Sequence, residues 1–414
     1  MILAKPERKS FKGIAIAGIP DKRFDVEIRS GRFVSVREAD AAAAAGAAAQ
    51  AGAATQAGAA AQGEEAESAG SSDPAAEIVD GSELWITPGL IDLHTHMAWT
   101  DFDHADQDKR DPAEVEAMQA RAFEATLRTG VTTVRDAGGL TPAAAAHLVR
   151  EYRQPLRIDN GSHMFGAADA RGADYLKRKA DEVFASGANW IKIMATGGLG
   201  APTESVTDPV FTEDEFAFLV RYAHENGRKV FVHAWGGAAI DWSARAGVQS
   251  IEHGMFLTAD QAARLAEANV AFVPTASIYR IAADPQGVLG LPPVIRDRAA
   301  RAVEAHANAV AYAKRAGVRI GFGTDYATPH LHGRNLQELY TLLDYGLNRE
   351  EAWIAATSDA ARILGRSGEL GSIAEGYLSD AVIFGSDPYA ARSEAELRGS
   401  IAAVITGTDE SELA

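Results

Sequence analysis

The 414-residue chain contains no cysteine, which excludes disulfides, thiolate metal ligation and a cysteine nucleophile. It is also short of basic residues. Forty lysines and arginines face 57 aspartates and glutamates, and the formal charge of −17 argues against nucleic acid or an anionic membrane as partner. No apolar run approaches the ~20 residues of a membrane helix. Residues 1–10 (MILAKPERKS) lack the apolar core of a secretory signal, so a cytoplasmic protein is expected. What is present is an ordinary globular balance, 47% hydrophobic and 23% charged, sufficient for a large core. A small-molecule substrate is expected as partner, and the chain as a homo-oligomer.

Residues 41–75 stand apart in composition, being almost all Ala, Gly, Gln, Ser and Glu. A hexapeptide recurs there at 45–50 (AGAAAQ), 51–56 (AGAATQ) and 57–62 (AGAAAQ). A glycine in each repeat costs about 1 kcal/mol in a helix, and no apolar stripe forms, so a disordered surface insertion is expected. Its flanks are strand-like. Residues 24–36 (FDVEIRSGRFVSV) alternate about Ser30-Gly31, a hairpin signature, and strand character resumes over 76–85.

After Pro88, apolar runs alternate with helical segments and end near His96, Arg135, His163, Met194, His233, His253, Pro274 and Asp325. Helix starts are marked by Thr141-Pro142 and by capping-box spacing at Thr212/Glu215, Thr258/Gln261 and Asn348/Glu351. Eight β-then-α units over roughly 290 residues match the size of a (β/α)₈ barrel. A doubly wound sheet would want a glycine-rich phosphate loop after its first strand, where Asp92-Leu93-His94-Thr95-His96 stands instead. The expected fold is α/β, a TIM-like barrel over 88–378. A small flanking β-sandwich is expected from 1–87, which carries the insertion, and 379–414.

Strand alternation points His94 and His96 to one face, where two imidazoles can grip a metal ion. It also turns Lys192 of WIKIM (190–194) into the barrel interior, where burial favours the neutral amine. Such an amine can capture carbon dioxide as a carbamate and bridge two metals. His233, His253 and Asp325 also end apolar runs, with Gly321 and Gly323 leaving room near the axis. Four histidines, a lysine and an aspartate at C-terminal strand ends fit a catalytic centre better than scattered polar residues. Arg135 and Asp136 are expected to form a buried pair.

The segments 88–96 (PGLIDLHTH), 191–198 (IKIMATGG), 232–234 (VHA), 250–254 (SIEHG), 323–325 (GTD), 335–365 and 371–381 (GSIAEGYLSDA) resemble the amidohydrolase superfamily. More narrowly, they resemble its prolidase-like branch, which includes dipeptidases cleaving before Pro, Arg or Lys. The resemblance implies a binuclear centre. His94, His96 and Asp325 would hold one ion, His233 and His253 the other, with carbamylated Lys192 between. Zinc is the first expectation for the two divalent ions, with manganese or cobalt as alternatives. A hydroxide bridging the ions would attack the substrate carbonyl. Asp325 would act as proton carrier, and Lys192 and His253 would belong to the same catalytic set.

Trp235 stands two residues after His233, where related mononuclear deaminases carry a glutamate, and Lys192 is present; both disfavour deamination. Hydrolysis of an amide (C–N) bond is expected, as in a dipeptide or N-acyl amino acid. Ureas, carbamates or cyclic amides are the alternative, and a non-catalytic scaffold is a remoter one. Expected substrate contacts are His163, Trp235, Tyr279, His330 and His332, with His104 a further candidate. Trp235 is expected to offer a flat apolar contact at the barrel mouth.

Overall fold

Alternation over 24–36 produces the hairpin it predicts: β3 (Phe24–Arg29) pairs antiparallel with β4 (Arg32–Glu38). Ser30 and Gly31 take φ of 48° and 76°, the left-handed pair that a two-residue hairpin turn requires. The structure, a computed structural model, describes residues 1–4, 7–39, 76–102, 104–200 and 203–407. The segment 41–75 lies outside the described residues.

The hairpin belongs to a mixed sheet drawn from both ends of the chain. Its order is β1 (Ile2–Ala4), β16 (Ile401–Thr406), β15 (Ala381–Phe384), β6 (Trp85–Pro88), β2 (Arg8–Ile16), β3, β4, with β5 (Glu77–Asp80) also on β2. Phe11, Ile14, Val26, Phe33, Ile383 and Ile405 meet in its core.

Between these ends the strands are parallel and, apart from β9 and β10, separated by helices. One sheet runs β7 (Leu90–Thr95), β8 (Val131–Asp136), β9 (Arg157–Asn160). A second runs β10 (Met164–Phe165), β11 (Trp190–Met194), β12 (Lys229–Ala234), β13 (Ser250–His253), β14 (Ala271–Val273). The run expected as one strand ending near His163 is therefore divided, β9 in one sheet and β10 in the other. The helix starts fall where the caps place them: Thr141, Thr212, Thr258 and Asn348 each accept a first-turn N–H, the last three in full capping boxes. Among the described residues no helix is long and apolar enough to cross a membrane.

The run expected as the last strand forms no regular ladder. Residues 319–326 touch both parallel sheets by single bridges, Phe272 to Ile320 and Thr95 to Tyr326. Leu93 N–H donates to the Phe322 carbonyl at 2.9 Å, and His96 N–H to that of Tyr326 at 2.8 Å. The glycines there do not open space, as the sequence suggested; they allow close approach. A Cβ on Gly321 would sit 2.5 Å from Leu93 Cδ1, and one on Gly323 3.0 Å from His94 Cβ. That approach brings Asp325 to the end of β7.

Candidate metal centre

His94, the penultimate residue of β7, has its Nδ1 2.7 Å from Glu252 Oε2. Its Nε2 faces Lys192 Nζ at 3.2 Å and Asp325 Oδ1 at 3.4 Å. His96 Nε2 lies 3.2 Å from the same Asp325 oxygen. The other His96 nitrogen is 3.2 Å from the Gly138 carbonyl, and its ring stacks on Trp99 at 3.7 Å. A carbonyl only accepts, so Nδ1 carries the proton and Nε2 keeps a lone pair. His253 Nδ1 is 2.7 Å from Thr275 Oγ1, and its ring centroid is 4.8 Å from that of His94. Ligand atoms of His94, His253 and Asp325 all lie within 4.8 Å of one another. His233 joins through its ring, 4.5 Å from that of His253, while its Nε2 is 3.3 Å from the Gly197 carbonyl.

Alternation explains most of this convergence. Ile191 and Ile193 of β11 and Val230 and Val232 of β12 enter the apolar cluster shared with the helices, leaving Lys192 and His233 on the opposite face. His253 is the exception, because alternation sets it opposite its neighbour Glu252. A φ of 70° at His253 breaks the strand and returns its ring to the Glu252 side. Asp325 and Thr275 are likewise left-handed, at 56° and 50°. Such conformations cost about 1–2 kcal/mol per non-glycine residue and concentrate at functional sites.

The donor set fits a divalent cation. Burial holds His233 at about 3 and His96 at about 4, and it holds His253 well below the usual imidazole range. Neutral imidazole is the form that ligates metal. Burial works to raise the Asp325 carboxyl, but the neighbouring imidazoles of His94 and His96 hold it well below the usual range. Burial lowers the Lys192 ammonium to about 8. Three nitrogen donors and an anionic oxygen therefore stand ready near neutral pH.

The expected Arg135–Asp136 pair does not form. Arg135 Nη2 donates to Glu252 Oε1 at 2.9 Å, while Asp136 accepts the backbone N–H groups of Met97, Gly138 and Leu140. Adjacent residues on a strand face opposite ways, so the two cannot share one partner. Sequence reasoning missed Glu252 as a partner of His94, although it stands within the SIEHG segment. It also missed Asp92, which accepts from Thr324 Oγ1 at 2.7 Å and Asn335 Nδ2 at 3.0 Å and so ties β7 to the Asp325 turn.

Of the expected substrate contacts, His163 is half-buried with Nε2 3.0 Å from Asp169 Oδ2, and His330 is exposed. His332 is buried. The side chain of His104 lies outside the described residues. Trp235 and Tyr279 do not line an open mouth, since each is only 1% exposed. Their rings pack edge to face at 5.2 Å in a cluster with Met255, Tyr326 and Leu331. Backbone pairing of Phe256 N–H with the Trp235 carbonyl folds the next loop over the indole.

Over 319 residues the chain is 28% identical to an uncharacterized protein of Mycobacterium tuberculosis, spanning 72% of this chain and 80% of that one. It is 25% identical to ochratoxinase of Aspergillus niger over 341 residues, 73% of this chain and 70% of the relative. Its fold matches that of a prolidase solved with N-methylphosphonate-L-proline, with TM-score 0.82 and 23% identity over 97% and 98% of the two chains. The model of the amidohydrolase family matches residues 85–409, from β6 through the His94, Lys192, His233, His253 and Asp325 cluster to β16. The protein belongs to the amidohydrolase family.

Proposed function

We propose that the protein is a metal-dependent hydrolase of the C–N bond in an amide of an amino acid, a dipeptide or an N-acyl amino acid. One observation carries this: His94, His96, Lys192, His253 and Asp325 are linked by contacts of 4.8 Å or less in one cluster, with the His233 ring beside them. The names of the relatives, a prolidase and an ochratoxinase, support the substrate class. We read the two parallel sheets and residues 319–326 as a (β/α)₈ barrel over 88–378. The mixed sheet from 1–87 and 379–414 is then its flanking sandwich.

His94, His96 and Asp325 would hold one divalent ion and His233 and His253 a second, with Lys192 between them as a carbamate. Zinc is favoured by imidazole and carboxylate ligation. When bound, such ions lower the pKa of water and polarise a carbonyl. Lys192, lowered to about 8 by burial, has a neutral fraction near neutral pH that can take up carbon dioxide. Asp325 keeps an anionic oxygen at the centre of the cluster. It accepts the proton released by the attacking water and returns it to the leaving nitrogen. His163 and His330, the less buried of the expected contacts, would meet a substrate carboxylate. Trp235 and Tyr279 form the wall behind His253, and His332 backs His96.

The test is metal analysis of purified protein, then chelation and reloading with zinc, manganese or cobalt. Each form is assayed on dipeptides ending in Pro, Arg or Lys, on N-acyl amino acids, on aryl ureas and on cyclic amides. Up to two ions per chain are expected, with amide hydrolysis lost on chelation. One tightly bound ion in fully active protein overturns the binuclear reading, and turnover confined to ureas or cyclic amides overturns the substrate class.

A further inference from the structure

Behind His94 lies a chain of charge that the reaction scheme does not use. Glu252 sends Oε2 to His94 Nδ1 at 2.7 Å and receives Arg135 Nη2 on Oε1 at 2.9 Å. Ser250 Oγ also donates to Oε1, at 2.5 Å. Arg135 in turn donates from Nε to the Leu93 carbonyl at 2.6 Å, and its guanidinium lies over the Phe231 and Trp190 rings at 4.1 and 4.8 Å. The side chains of Arg135 and Glu252 are 0% exposed, and that of His94 is 1% exposed.

A buried ion pair of this kind is poor evidence of stability, since apolar replacements of similar volume are often neutral or stabilising. Its geometry has another consequence. A carboxylate only accepts hydrogen bonds, so His94 must carry a proton on Nδ1, and Nε2 is left aimed at Lys192 and Asp325. Glu252 is held in turn from its other oxygen, so it cannot swing away. His96 and His253 differ, because the nearest partners of their Nδ1 atoms are the neutral Gly138 carbonyl and Thr275 hydroxyl, with Asp325 Oδ2 farther off at 3.9 Å from His253 Nδ1. A carboxylate behind an imidazole raises its basicity as a ligand more than a neutral partner does.

We infer that Glu252, clamped by Arg135 and Ser250, is a positioning residue that fixes the His94 tautomer and strengthens Nε2 as the anchoring metal ligand. This rests on the metal-centre reading above. Arg135 has a second part, because its bond to the Leu93 carbonyl ties the clamp to the residue just before the ligand.

The experiment compares wild type, Glu252→Gln, Glu252→Asp and the double variant Arg135→Gln/Glu252→Gln. For each, the zinc dissociation constant is measured by chelator competition, alongside melting temperature, kcat and KM. Glu252→Gln keeps the shape and removes the charge, so zinc affinity is expected to fall about 10–100-fold. It also leaves Arg135 buried and unpaired, so the melting temperature falls too. The double variant removes that unpaired charge. It is expected to regain melting temperature while its zinc affinity stays low, and this keeps the test decisive where the single variant does not fold. Glu252→Asp retains the charge and is expected to recover part of the affinity. If the double variant, or a folded Glu252→Gln, binds zinc as tightly as wild type, the clamp is only structural and the inference fails. If wild type itself binds no zinc, the metal-centre reading fails, which is a separate outcome.

Discussion

Strands β11 to β13 carry two chemistries on opposite faces. Ile191, Ile193, Val230, Val232 and Ile251 point out into the apolar cluster formed with the surrounding helices. Lys192, His233, Ser250 and Glu252 point in and are equally buried. The outward face is held by area: burying each branched aliphatic side chain is worth about 1.5–3 kcal/mol. The inward face works against that gain, since effective desolvation costs several kcal/mol per ion. It is tolerated because Glu252 pairs with Arg135 and His94, while burial lowers the Lys192 ammonium toward the neutral amine. The same backbone thus supplies a stabilising surface and a reactive one. Changes on the two faces should separate stability from chemistry.

The largest effect is expected for Asp325→Asn. The amide keeps one coordinating oxygen but accepts no proton at neutral pH, so turnover should fall roughly 10²-fold or more while metal content survives in part. Rate and metal content measured on the same preparation check this. Near-normal turnover in a metal-loaded variant would move the proton carrier to another group. On the outer face, Ile191→Ala should cost about 2–5 kcal/mol in denaturant unfolding with kcat nearly unchanged. A large loss of kcat per folded molecule would mean that the two faces are coupled through β11.

The smallest effect sharpens the comparison through pH. Burial holds His96, His306 and His332 at about 4 and His233 at about 3, against 6.5 when unfolded, and His253 is lowered as well. Burial moves Asp92, Asp136 and Glu338 the other way, to about 6, 7 and 7. Between about pH 6.5 and 4 the unfolded chain therefore binds more protons at the histidines and fewer at these carboxyls. Five histidines outweigh these three carboxyls and Asp159, which burial also raises, so metal-free protein should lose stability gradually as pH falls through that window. Thermal melts of chelated protein across this range would show it. A rising melting temperature would mean that the carboxyls dominate.

Local features were legible because short-range chemistry decides them. Ser30-Gly31 can supply two left-handed residues, and Thr212, Thr258 and Asn348 each have a partner three residues on. Lys192 was legible because a lone charge in an apolar alternating run has only one place to go. The burial of Trp235 was not legible, because the loop that covers it begins beyond the strand and pairs by backbone bonds. The Arg135–Glu252 pair was hidden because its members lie 117 residues apart.

From sequence alone come the identity of the polar strand-end residues, the caps, the hairpin and the acidic, cysteine-free composition. Period-two alternation and fixed cap spacing are properties of a single segment, so they need no neighbours to be read. Tertiary structure decided the rest. It brought residues 319–326 between two sheets through glycines too small to obstruct Leu93 and His94. It also turned His253 against its own alternation with a left-handed backbone, and set Glu252 behind His94. Those outcomes depend on which surfaces meet across more than a hundred residues. Packing and long-range pairing choose among many locally equivalent arrangements, and periodicity within one strand carries no record of the choice.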